Sequence, residues 1–193
     1  MAGVDPANGS PLWYTTDESG KRTTTDSYNK ADRVYCGSAA PKFTGGWMNS
    51  FSYKGFTLTA NFDFVYGNLL YNQSRELLDS DGAYADYNSM KLKSGWKRWE
   101  KEGDIATHPK AINGGNKNSN KSSSRYLEKG NYFSLRNLSL GYSIPEKLCG
   151  KLGLQQVNVS CSADNLFTLT PFSGYLPNYR TAVPTVMQVL SIR

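Results

Sequence analysis

The chain has 193 residues, 38% of them hydrophobic and 20% charged, with a formal net charge of +6. No apolar run approaches the roughly 18 residues of a membrane-spanning helix, which excludes helical spans but not strands that hide half their residues from lipid. Cationic and anionic residues balance six against six over 1–66, then run eleven against eight over 67–130 and five against two over 131–193; this spread leaves no compact basic stripe and argues against nucleic acid as a partner.

About forty residues of turn-forming composition come first. Trp47, Phe51 and Tyr53 then alternate with Met48, Ser50, Ser52 and Lys54, which predicts a first strand. Tyr53-Lys54-Gly55 reads as a tight turn. The second strand is the clearest in the chain. Phe56, Leu58, Ala60, Phe62, Phe64 and Tyr66 fill one parity, against Thr57, Thr59, Asn61, Asp63 and Val65 on the other. At eleven residues it exceeds the usual strand of about five or six and matches the roughly 9–11 that a tilted strand needs to cross a bilayer. Residues 67–130 form a very long connection. A third strand follows over Tyr132 to Ile144, where Leu138, Leu140, Tyr142 and Ile144 oppose Asn137, Ser139, Gly141 and Ser143. Pro145 to Leu154 is a compact link with room for one helical turn. Val157, Val159, Cys161 and Ala163 then oppose Asn158, Ser160 and Ser162 in a fourth strand. After a link over 169–184, Val186, Leu190 and Ile192 mark a fifth, with Met187 and Gln188 spoiling its symmetry.

None of the five strands holds an internal proline, as paired strands require. Alternation alone fits a soluble sandwich as well as a barrel. Short and long connections alternate strictly, however, and an up-and-down membrane barrel has that habit. A compact soluble domain rarely contains a structureless connection as long as 67–130. The thirteen Tyr and four Trp suit interfacial girdles and sugar-binding surfaces equally, so they decide nothing. The expected fold class is all-β, an antiparallel up-and-down transmembrane barrel segment of about five strands with long extracellular loops. Residues 1–42 are expected as an extracellular loop region and 43–193 as barrel strands carrying the long loop 67–130.

Catalytic signals are poor. The single histidine, His108, stands beside Pro109 without a second histidine or a carboxylate cluster, so no metal or triad is expected. Cys36, Cys149 and Cys161 lack metal-ligand spacing and are read as free thiols. No enzyme activity, cofactor or metal is expected.

The words of the sequence carry a family resemblance. Ser38-Ala-Ala-Pro-Lys-Phe-Thr-Gly-Gly-Trp, Asn49-Ser-Phe-Ser-Tyr-Lys-Gly-Phe and Asn61-Phe-Asp-Phe-Val-Tyr-Gly-Asn resemble the late barrel of SusC/RagA-type TonB-dependent transporters of Bacteroidetes-like bacteria. Arg125-Tyr-Leu-Glu-Lys-Gly-Asn-Tyr-Phe-Ser-Leu-Arg-Asn-Leu-Ser-Leu-Gly-Tyr-Ser-Ile-Pro145 and Asp164-Asn-Leu-Phe-Thr-Leu-Thr-Pro-Phe-Ser-Gly-Tyr175 are similar to their C-terminal motifs, and order and spacing hold over residues 36–192. The resemblance implies a cell outer-membrane barrel of about 22 strands with a plugged lumen. It implies outer-membrane lipid as surroundings, a SusD-like surface lipoprotein as lid, and oligosaccharide or peptide as cargo. The TonB complex would act through an N-terminal plug. No plug, TonB-contacting segment or signal-peptide pattern is read from Met1 onward. Tyr175-Leu-Pro-Asn178 stands where the family often carries an acidic turn, and the chain stops at Arg193 where members usually end on an aromatic residue.

Within that frame the candidate contacts for substrate or lid are Tyr84, Tyr87, Trp96, Trp99 and Tyr175. A short helix over Asn88 to Lys101, weakened by Gly95, would set Trp96 and Trp99 three apart on one face; the alternative is that both simply pin the loop to the barrel rim. Asn61, Asp63, Arg136 and Asn137 lie on the parities expected to face the lumen. The competing readings are a soluble all-β glycan-binding module and a non-functional truncated remnant of a transporter.

Overall fold

The computed structural model describes residues 1–151, 153–174 and 185–192. In chain order its elements are β1 (Gly3–Val4), β2 (Pro11–Thr16), β3 (Arg22–Thr25), β4 (Phe43–Tyr53), β5 (Phe56–Tyr66), β6 (Leu69–Tyr71), α1 (Gln73–Leu78), β7 (Leu127–Lys129), β8 (Tyr132–Ser143), α2 (Glu146–Lys151), β9 (Val157–Leu169) and β10 (Thr185–Ile192). The chain divides into two units. One comprises Met1–Gly37 with Tyr71–Glu128, the other Ser38–Leu70 with Lys129–Arg193.

The second unit is an open antiparallel sheet in the order β10-β9-β8-β5-β4, with β10 and β4 as its edges. All five expected strands are present. The β4–β5 hairpin turns on Lys54 and Gly55, with φ of 45° and 85°; positive φ at both central residues is the geometry whose twist matches that of the flanking strands. Strand β4 starts at Phe43, earlier than the alternation from Trp47 suggests. Gly45 conceals that start: it stands opposite Phe64, and a Cβ added there would lie 2.8 Å from the Phe64 ring.

Bulges explain why β8 and β9 were harder to read. Opposite β5, Ala60 pairs with Leu138 and Phe62 with Leu135, so Arg136 is one residue in excess. That extra residue switches the apolar parity from Phe133 and Leu135 to Leu138, Leu140 and Tyr142 while keeping all of them on one face. Opposite β8, Ala163 pairs with Leu138 and Phe167 with Leu135, so β9 carries one residue more. Asn165 has a φ of 52° in that stretch, and β9 runs on to Leu169 rather than ending at Ala163. The register of β10 sets Val186 opposite Ala163, Leu190 opposite Val159 and Ile192 opposite Val157.

The sheet therefore has two chemically distinct faces. Phe43, Trp47, Phe51, Tyr53, Phe56, Leu58, Phe64 and Leu140 are exposed on the apolar one. Aromatic pairs knit it across strands, among them Trp47 with Phe62 at 6.0 Å and Phe62 with Phe133 at 5.5 Å.

The first unit holds the three-stranded sheet β1-β2-β3 and α1. Asn88 to Lys101 is not a helix but turns and extended chain. Gly95, with φ of 82°, breaks the helical path that the spacing of the two tryptophans had suggested.

Candidate functional site

On the polar face of the five-stranded sheet, Asp63 and Arg136 meet. Arg136 Nε donates to Asp63 Oδ1 at 2.8 Å and Nη2 to Oδ2 at 2.9 Å, a two-point geometry that fixes both side chains. The Tyr132 hydroxyl adds a third bond to Asp63 Oδ2 at 3.0 Å. The bulge makes this possible, because the extra residue lets Arg136 share the polar face with Asn137. Asn61 pairs in register with Asn137. Asn137 Nδ2 donates to Asp164 Oδ1 at 2.8 Å, and Asn61 Oδ1 is enclosed without a hydrogen-bond partner.

In the first unit, two buried carboxylates organise the loop. Asp79 and Asp81 are 1% and 2% exposed. Asp79 receives Arg75 Nη2 at 2.9 Å, Arg125 Nη2 at 3.2 Å and His108 Nε2 at 3.1 Å. Asp81 receives Arg98 Nη1 at 2.6 Å, the Ser119 hydroxyl at 2.6 Å and the Arg125 guanidinium. Arg75 also reaches Glu128 at 2.9 Å. Burial works to raise the Asp79 carboxyl, but the His108 hydrogen bond, the Arg125 charge and Arg75 outweigh it and hold it below the ordinary 3.8. An ionised carboxylate only accepts hydrogen bonds, so the His108 proton facing it sits on Nε2 and leaves Nδ1 for the Thr107 hydroxyl at 2.8 Å. For Arg125, burial lowers the guanidinium, and Asp81 and Asp79 more than compensate and raise it. Around the next turn, the Lys97 hydrogen bond and the backbone N–H groups of Glu100 and Lys101 bring Asp104 down to about 2.

The tryptophans have separate partners. Trp96 lies with its ring 4.9 Å from that of His108 and 4.5 Å beneath the Arg75 guanidinium. Trp99 is 8% exposed, and its indole N–H donates to the Pro6 carbonyl at 2.9 Å. A Cβ added to Gly9 would lie 2.6 Å from the Trp99 ring, so glycine there lets the backbone approach. Tyr84 and Tyr87 form an edge-to-face pair at 5.8 Å and stay exposed, at 40% and 57%. Tyr175 lies outside the described residues. The structure thus joins Asp63 to Arg136 and Tyr84 to Tyr87, and does not join Trp96 to Trp99.

Sequence reasoning missed Arg75, Asp79, Asp81, Arg98 and Arg125, and found in His108 only an isolated loop residue. The Asp-Ser-Asp triplet at 79–81 was the available signal, but its arginines stand up to 46 residues away. Cys36, Cys149 and Cys161 are free thiols. Among the described residues, no group of three or more His, Cys, Asp or Glu is placed to hold a metal ion.

No protein-family model matches the chain. Among curated proteins it is 33% identical over 181 residues to TonB-dependent receptor P3 of Formosa agariphila, covering 91% of this chain and 16% of that one. It is 32% identical over 149 residues to TonB-dependent receptor P39 of the same organism, covering 76% and 14%. Among solved structures, the RagAB peptide transporter superposes with a TM-score of 0.76 at 27% identity, over 98% of this chain and 21% of that one. The closed-closed state of the RagAB peptide importer does so with a TM-score of 0.71 at 29% identity, with the same coverage. The chain spans well under a quarter of the length of each of these relatives. Sheet, loop motifs and relatives agree: the chain belongs to the SusC/RagA-type TonB-dependent receptors of the outer membrane, as a segment of their β-barrel.

Proposed function

We propose that the receptor containing this segment imports oligomers, peptide or oligosaccharide, under a SusD-like lipoprotein lid, with the TonB complex acting through a plug. This segment supplies five strands of wall. The observation that supports the reading most strongly is the two-faced sheet: an exposed aromatic face suited to lipid, backed by a polar face carrying the Asp63–Arg136 pair. On this reading Asn61, Asp63, Arg136 and Asn137 line the lumen. Tyr84 and Tyr87, exposed as a pair, are with Tyr175 the aromatics that touch cargo or lid. Trp96 and Trp99 hold the loop in shape for them.

A soluble sandwich would bury its aromatic face on a second sheet, whereas here Trp47 and Phe51 remain 63% and 64% exposed. The likeness to a peptide transporter makes peptide the first cargo to try. Deleting the receptor gene in the native bacterium should abolish uptake of labelled oligopeptides or oligosaccharides, and the intact gene should restore it. Undiminished uptake of both cargo classes by the deletion strain would contradict the proposal.

A further inference from the structure

We draw no further inference here: the strongest candidate, the apolar hollow where β5 and β9 end and β8 begins, walled by Phe64, Tyr66, Phe133, Leu169 and Pro171, lies open at the surface, and nothing in the structure shows what covers it.

Discussion

Asp81 shows at the scale of one residue why the loop unit holds a single shape. Its carboxylate accepts from Arg98, Arg125 and Ser119 while shielded from water. Removing one partner of a buried ion pair leaves the others charged and unmatched, at a cost of about 3–5 kcal/mol. Asp81→Ala in the full receptor should therefore speed proteolytic cutting within 71–128 at least a hundredfold, provided that local opening precedes cleavage. A cleavage rate within a few-fold of wild type would contradict the organising role. The network also predicts a sign for pH. Asp79 and Asp104 both sit below the ordinary 3.8 when folded, Asp104 at about 2. Their stabilisation is fully present above the unfolded value and is lost as pH falls through the folded one. Hydrogen exchange of 71–128, corrected for intrinsic rates, should stay protected down to about pH 4 and open between there and about pH 2. Protection that is flat across that window would refute the linkage.

At the scale of elements, legibility followed regularity. Strand β5 could be read to the residue because its apolar parity is unbroken from Phe56 to Tyr66. Strand β8 was found by its Leu138–Leu140–Tyr142 half alone. Its other half, Phe133 and Leu135, sits on the opposite sequence parity, and only pairing against β5 shows that Arg136 reconciles the two. The loop resisted for another reason. Its core is ionic rather than apolar, and joins residues as far apart as Asp81 and Arg125, so no period announces it. The hairpin offers a direct check on the sheet. Gly55 has φ of 85°, and a Cβ there would lie 2.8 Å from the Ser143 carbonyl oxygen. Gly55→Val should destabilise the detergent-solubilised receptor by about 1–3 kcal/mol in a denaturant titration, the cost of a β-branched residue at positive φ. An unchanged denaturation midpoint would mean that the turn adopts another geometry.

At the scale of the whole molecule, the decisive fact is the open sheet. Its edge strands β10 and β4 leave backbone donors and acceptors unpaired, and each such group costs several kcal/mol in lipid. In water the aromatic face and the edges together invite association. Expressed alone in buffer without detergent, the 193-residue chain should elute as aggregate; a monodisperse soluble monomer would contradict the barrel account. On the proposed import reading, the polar face, the Asp63–Arg136 pair and the loop unit act only within a closed barrel of a larger receptor. The central claim is therefore that this segment works inside such a receptor. Its most direct test is an immunoblot of the outer-membrane fraction of the native bacterium, with an antibody raised against residues 67–130. The account predicts a heat-modifiable band several times heavier than 21.4 kDa. A band only at 21.4 kDa, or none, would contradict it and leave the chain a remnant of a transporter.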